Sequence, residues 1–372
     1  MSTKITRRSA LRTGMLAVAG ASALAGCVTT PEPAPATSAA LDQPVVDVTA
    51  GRVIKQVAGV RPFRSSGFLV STEQIGTKTV VHNYGHGGCG VTLSWGTAKM
   101  ALDLALQTPH RTAAVLGCGV IGLTTARLLQ DHGFDVQIYA ASLPPDTTSN
   151  VAAGVFGVTD VADDLTGPFL PQLQFAARYA HRYFQPFVGR PEYGVKWFDL
   201  YVLGDAPIEA PPEFAVTPEL YPMTQFGPGE HPFSTPYAAS VPTLIAETNV
   251  FIPKLMEDVM LAGGTIDVRT FGSTDELESL AQPLVLNCTG LGARELFGDR
   301  ELTPVRGQIL LMRPQPALDY GYIDPKNDLY MFPRSDGVVF GGSHEIGETS
   351  TEPDPAVTDR ILAGGKRILA RS

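Results

Sequence analysis

Residues 113–122 read Ala-Ala-Val-Leu-Gly-Cys-Gly-Val-Ile-Gly, and no other segment narrows the fold of this chain as much. Ala113 to Leu116 is a short apolar run of the length and composition of a buried strand. Leu123 to His132 carries a helical pattern, Gly133 stops it, and Asp135 to Tyr139 predicts a second strand. A G-x-G-x-x-G set between a strand and a helix is the phosphate-binding turn of a dinucleotide site. Gly117 permits the tight turn, Gly119 lets the backbone approach a pyrophosphate, and Gly122 lets the helix pack on the strand. The helix start at Val120 and Ile121 offers amide N–H groups and a partial positive charge to phosphate. One element of the pattern is missing. An acidic residue normally follows the second strand and holds a ribose hydroxyl, but here Ala140-Ala141-Ser142 follows it. The ribose must be held more weakly, or from elsewhere in the chain.

Composition agrees with an α/β protein. The chain has 372 residues, 44% hydrophobic and 17% charged, which is enough apolar material for a large core. Its 38 glycines and 30 prolines favour a turn-rich α/β fold over a helical bundle. Net charge is −9, and the first 27 residues carry four bases and no acid, leaving 24 basic against 37 acidic residues, or −13. A body that acidic argues against a nucleic-acid partner, which needs clustered Lys and Arg. Four cysteines at positions 27, 89, 118 and 288 form no disulfide framework. Cys89 and Cys118 sit in glycine turns and read as small packing residues. His82 and His86 are four apart but lie among glycines in a loop, so no metal site is expected. There is no Walker loop and no serine nucleophile elbow.

The first 27 residues read as an address. Lys4, Arg7, Arg8 and Arg12 precede an uncharged stretch from Thr13 to Gly26 that is too short to span a bilayer. Arg7-Arg8 resembles a twin-arginine export signal. Leu24-Ala25-Gly26-Cys27 resembles a bacterial lipobox, whose cysteine becomes the lipidated N-terminus. The Pro/Ala/Thr-rich residues that follow suit a tether. The expectation is an exported protein held in the periplasm through a lipid on Cys27, with no other membrane contact.

A second glycine loop decides which dinucleotide is meant. Residues 80–98 read V-V-H-N-Y-G-H-G-G-C-G-V-T-L-S-W-G-T-A, predicting a strand, a glycine loop and a helix from about Leu93 to Leu106. This block resembles the signature of the D-amino-acid oxidase family of FAD-dependent oxidoreductases. Val60-Arg61-Pro62-Phe63-Arg64 resembles the family's substrate-arginine strand, and Thr147 to Gly154 its early flavin loop. Leu286 to Gly290 and Arg306 to Ile309 resemble its later flavin strand and the entry to its substrate sheet. Tyr330 to Arg334, followed by Gly341-Gly342, resembles its substrate-tyrosine strand. The resemblance implies that FAD is held by Gly117, Gly119, Val120, Ile121 and Gly122, by Thr147, Thr148, Ser149, Ala152, Ala153 and Gly154, by Thr289 and Gly290, and by Gly87, Gly88, Cys89, Gly90, Val91 and Thr92.

The order of these blocks departs from the family. There the G-x-G-x-x-G opens the chain and the arginine strand and His-Asn-Tyr-Gly loop close it, whereas here Arg61 and residues 82–98 come first. This resembles a circular permutation, with the old termini joined near Gln107–Arg111. The expected architecture is a Rossmann-type FAD-binding domain interleaved with a mixed-sheet substrate domain. After the signal (1–27) and linker (28–47) comes the arginine-strand region (48–74). FAD-binding segments follow at 75–161, 283–304 and 338–372, with substrate-domain segments at 162–282 and 305–337. A helix is expected from Val357 to Ala370.

The resemblance also implies the chemistry. Flavin takes a hydride from the substrate, and the protein orients it. Arg61 would clamp a carboxylate, since the guanidinium fork matches it, and Pro62 is expected to end the regular pairing of Val57–Arg61. Tyr330 would donate its hydroxyl to the same carboxylate, with the Gly88 backbone near the amine. No general base is required of a substrate arriving as a neutral amine. The implied reaction turns a D-amino acid into a 2-oxo acid and ammonia, with dioxygen reduced to hydrogen peroxide. Two other readings stay open: oxidation of another amine (D-aspartate, glycine or an N-methyl amino acid), or a flavin-binding periplasmic protein without turnover. Three features depart from the family: Asp324 to Leu329 is a short lid with no second tyrosine, Gly157 stands where many members have a polar side chain, and His344 and Arg334 would make the pocket polar or cationic. Oligomeric state is not legible.

Overall fold

The computed structural model describes residues 43–368. The expected signal at 1–27, with Arg7, Arg8 and Cys27, lies outside the described residues, as does most of the linker at 28–47.

Two sheets organise the described chain. The first has six strands in the order Leu69–Ile75, Lys78–Tyr84, Leu284–Asn287, Thr112–Leu116, Asp135–Ala140 and Thr265–Val268. All neighbours are parallel except the leading hairpin. Thr112–Leu116 and Leu284–Asn287 sit centrally, and their residues from Ala113 to Leu116 and from Leu284 to Asn287 are buried. That is why both read as unbroken apolar runs and not as alternating ones. The helix after the glycine turn spans Val120–Asp131, starting three residues before the sequence pattern suggests. Its extended cap at Gly119 (ψ −179°) lets the helix begin inside the motif. The helix after the second glycine loop, Gly90–Leu106, likewise starts three residues early. Helix Phe169–Phe184 packs against it, burying Leu173, Ala176, Ala177, Ala180 and Phe184 at helical spacing.

The second sheet has nine strands, led by Val53–Arg64, Leu302–Met312, Gly337–Gly341, Leu329–Arg334, Tyr320–Asp324, Val195–Gly204, Tyr237–Ala246 and Thr224–Phe226, with Glu345–Ile346 beside Leu302–Met312. Pro62 does not end the pairing of the arginine strand. The ladder runs on through Pro62↔Pro304 to Arg64↔Leu302, because Val53–Arg64 is an edge strand and one side of it needs no donors. Domain expectations change in three places. Strand Leu69–Ile75, expected within the arginine-strand region, heads the six-stranded sheet instead. Strand Gly337–Gly341 belongs to the nine-stranded sheet, and helix Pro355–Ile368 packs on that sheet, not on the FAD-binding one. Strand Thr265–Val268, expected in the substrate domain, closes the six-stranded sheet instead. Isolated bridges Phe63↔His86 and Val155↔Ile245 tie the sheets together, bringing the arginine strand against the glycine loop.

Candidate active site

A cavity of about 940 Å³ is lined from both sheets. Among the expected cofactor residues, Gly117, Gly119, Val120, Ile121, Thr147, Thr148, Ser149, Ala152, Ala153, Gly154, Thr289, Gly290, Gly87, Gly88, Gly90, Val91 and Thr92 line it. Gly122 and Cys89 do not. Gly122 is the contact between helix and turn, and Cys89 is 1% exposed, its thiol donating to the His86 carbonyl at 3.2 Å. Both shape the wall from behind. Cys118, expected only to pack, does reach the cavity lining.

The phosphate turn is built as its sequence requires. Gly117 adopts φ +108°, donates its N–H to the Tyr139 carbonyl at 2.8 Å, and would put a Cβ 2.5 Å from the Cys288 carbonyl oxygen. Any side chain there is excluded twice, by conformation and by contact. The Val120 N–H donates to Ser149 Oγ at 3.1 Å, fastening the Thr147–Ser149 turn to the helix N-terminus. In the second glycine loop, Asn83 donates to Thr125 at 3.1 Å, while its buried Oδ1 has no partner among the described residues. A glycine trough before a helix N-terminus, with a buried acceptor left unsatisfied beside it, suits a dinucleotide that brings phosphates and ring N–H donors.

The histidines of that loop serve separate structural ends. His82 bridges Glu73 at 2.9 Å and Asn287 at 3.0 Å. His86 meets Thr97 at 2.9 Å and is pushed down to about 3 by burial, so it stays neutral. Where the ribose acid is missing, Tyr139, Ala140, Ala141, Ser142 and Asp146 line the cavity, joined by Arg269 and Thr270 beyond strand Thr265–Val268. Sequence reading missed Asp146 and Arg269. Asp146 follows a Pro-Pro break, and Arg269 arrives only through the parallel pairing of Ala140 with Val268.

Arg61, Tyr330 and Gly88 all line the same cavity. Arg61 Nη1 donates to the Ser343 carbonyl at 3.1 Å and the Arg306 carbonyl at 3.5 Å. It forms no ion pair among the described residues, so its charge is uncompensated by direct contact. Tyr330 stacks on Phe332 with ring centroids 5.0 Å apart. Burial raises its phenol above the ordinary value, against the opposing charge of Arg61. Gly341 stands opposite Tyr330 in the ladder and leaves room for the ring.

His344 and Gly157 also line the cavity. Arg334 does not: it pairs with Asp336 at 2.6 Å and holds the Ala152 carbonyl at 3.2 Å, bracing the flavin loop from outside. The short lid is a single 3₁₀ turn, Pro325–Asn327, capped by Asp324, which accepts from Asn327 Nδ2 at 2.7 Å. Asp324, Asp328 and Leu329 line the cavity from it.

Comparison with known proteins gives one consistent answer. The family model described as DAO, FAD dependent oxidoreductase, matches residues 9–104 and 256–371. A D-amino acid oxidase of Dugesia ryukyuensis is 30% identical over 264 residues, covering 69% of this chain and 77% of that one. A D-amino-acid oxidase of Rubrobacter xylanophilus is 34% identical over 262 residues, covering 67% and 74%. Among solved structures, glycine oxidase from Bacillus cereus superposes with a TM-score of 0.52 at 17% identity, over 70% of this chain and 78% of that one. That last likeness is one of fold.

Proposed function

This chain belongs to the DAO family of FAD-dependent oxidoreductases, and from that premise we propose that it oxidatively deaminates D-amino acids to 2-oxo acids. The observation that carries the reading is Arg61, a guanidinium without an ion-pair partner among the described residues, in the wall that also holds the phosphate turn. When bound, FAD would supply hydride-accepting chemistry at the substrate α-carbon, with dioxygen as the final electron acceptor and hydrogen peroxide as its product. Gly117, Gly119 and the start of helix Val120–Asp131 would hold the pyrophosphate. Asp146 or Ser142 would take the ribose, in place of the missing acid. Arg61 would fix the α-carboxylate by a forked pair of hydrogen bonds, with Tyr330 as an additional donor. Gly88 would leave its backbone open toward the amine. The imino product then hydrolyses to the 2-oxo acid and ammonia. Relatives named as D-amino-acid oxidases at 30% and 34% identity support this reading.

An anaerobic screen tests it. The purified yellow protein should bleach on mixing with a D-amino acid and recover its colour on admission of oxygen. Bleaching by glycine, D-aspartate or N-methyl amino acids alone would move the assignment to another amine, and no bleaching by any amine would leave a protein that binds flavin without turning over. The flavin should be non-covalent. After acid or heat denaturation the yellow colour is expected in the supernatant, and colour retained by the pelleted polypeptide would contradict that.

We also propose that the order of segments reflects a circular permutation of an interleaved two-domain plan. Three observations support it. Val46 and Val48 near one end of the described chain and Ile368 at the other belong to one hydrophobic cluster. Thr358 on helix Pro355–Ile368 donates to Gln56 on the arginine strand at 2.9 Å, as neighbours in a continuous chain would. Helix Gly90–Leu106 reaches strand Thr112–Leu116 through a connection of only five residues.

For its address, the proposal is twin-arginine export and a lipid on Cys27, from the Leu24–Cys27 pattern. Cys27→Ser should move the protein from the membrane fraction to the soluble or unprocessed one. Unchanged membrane fractionation of that variant, with processing at another site, would overturn the anchor.

A further inference from the structure

Among the described residues, only Asp160 and Asp328 have positive φ without being glycine, at +50° and +48°. Both line the cavity, and both turn a carboxylate to the same imidazole. His344 Nε2 lies 2.9 Å from Asp160 Oδ2, and Nδ1 lies 3.0 Å from Asp328 Oδ1. The three residues come from separate segments: the stretch after the flavin loop, the short lid, and the turn after strand Gly337–Gly341. Bonds to their backbone carbonyls pin two of them, since Gly88 N–H donates to the Asp160 carbonyl at 3.1 Å and Arg360 Nη1 to the Asp328 carbonyl at 3.3 Å.

We propose that Asp160 and Asp328, joined through His344, form the side-chain recognition site of this enzyme and select D-amino acids ending in an ammonium or guanidinium group. The inference rests on the D-amino-acid oxidase reading above. With both ring nitrogens engaged by carboxylates, His344 has no N–H left for an acidic substrate. Asp160 Oδ1 and Asp328 Oδ2 make no hydrogen bond among the described residues, and a carboxylate oxygen only accepts. Arg61 and Arg360 are the nearby counter-charges: on the proposed reading the substrate α-carboxylate takes Arg61, while Arg360 donates to the backbone carbonyls of Asn327, Asp328 and Gly342. The two carboxylates, each with one oxygen left without a donor among the described residues, then offer negative charge and acceptors, and no N–H, to a substrate side chain. These charges persist at neutral pH. Hydrogen bonds to Asp160 and Asp328 raise His344 to about 9. Burial alone would raise Asp160 and Asp328, but the His344 hydrogen bond holds each below the ordinary carboxylate value. Space for a long side chain exists beside Gly157, where a Cβ would meet only the Phe214 ring, at 3.8 Å.

The test compares D-lysine, its neutral desamino analogue D-norleucine, and D-glutamate on the FAD-loaded enzyme at neutral pH. D-lysine is expected to exceed D-norleucine in kcat/KM by about ten-fold or more, through KM, with D-glutamate the poorest. Asp160→Asn and Asp328→Asn keep a side chain that tolerates left-handed backbone. Each should bring the lysine-to-norleucine ratio toward one while flavin content, read by absorbance, is retained. D-norleucine matching D-lysine in the parent enzyme, or D-glutamate leading, would overturn the recognition site while leaving the oxidase reading intact. Failure of every D-amino acid to bleach the flavin would instead remove the oxidase reading, and this inference with it.

Discussion

Arg61→Leu is expected to retain its flavin and its fold while losing oxidation of D-alanine by roughly 30- to 5,000-fold in kcat/KM. The range converts the ~2–5 kcal/mol lost when one member of a desolvated charge pair is deleted. Strand Val53–Arg64 is paired along eleven positions with Leu302–Met312, fixing where residue 61 points. The Ser343 and Arg306 carbonyls hold one nitrogen of the fork. No carboxylate of the chain competes for it at ion-pair distance among the described residues. On the proposed reading the arginine would act by orientation, setting the α-hydrogen against the flavin, so its loss should depress turnover as well as binding. Arg61→Lys should recover only part, since a point charge cannot form two parallel hydrogen bonds. Gly307→Ala offers an independent check: its Cβ would lie 2.5 Å from both terminal guanidinium nitrogens and would displace the group without removing it. Parent-like oxidation of D-alanine by Arg61→Leu would dismiss both the carboxylate role and the family correspondence at this position.

Gly122→Ala should yield a largely colourless protein, with FAD affinity lowered by about 100-fold or more, equivalent to about 2.7 kcal/mol. The added methyl would overlap the Gly117 carbonyl oxygen, which is backbone and cannot swing aside. Gly117 is itself held by its bond to Tyr139 and packed on the Cys288 carbonyl. Helix Val120–Asp131 must therefore shift, carrying its N-terminus and the Val120–Ser149 bond off the phosphate position. Overpacking of this kind also costs about 1–3 kcal/mol of stability. Titration of FAD into apoprotein, followed by flavin fluorescence, gives the affinity, and thermal denaturation of the apo forms gives the stability term separately. Parent-like FAD affinity in Gly122→Ala would mean that the turn does not hold the pyrophosphate.

Much of the architecture was legible before any coordinates. Strand, glycine turn, helix and second strand at 113–139 are local in sequence, so residue pattern and turn chemistry alone specify them. The second glycine block, and the arginine and tyrosine strands, were legible through resemblance. Less legible were elements whose pattern carries no address. Gly337–Gly341 is buried throughout, so its residues do not say which sheet receives it, and only its pairing with Leu302–Met312 and Leu329–Arg334 does. Arg334 looked like a pocket cation and is a brace, because an adjacent Asp336 captures it first.

What the sequence by itself determined is the phosphate turn, the class of fold and the membership of a flavoenzyme family, because each rests on contiguous residues whose conformational demands are met locally. What only the tertiary structure decided is the composition of the cavity wall. Asp146 and Arg269 reach it from different loops, and Asp160, His344 and Asp328 meet there across 184 and 16 positions of chain. Nothing in the local sequence marks these residues as neighbours. A carboxylate in a left-handed turn looks like any exposed aspartate until the fold brings an imidazole to it, and hydrogen bonds and charge act through space, not along the chain.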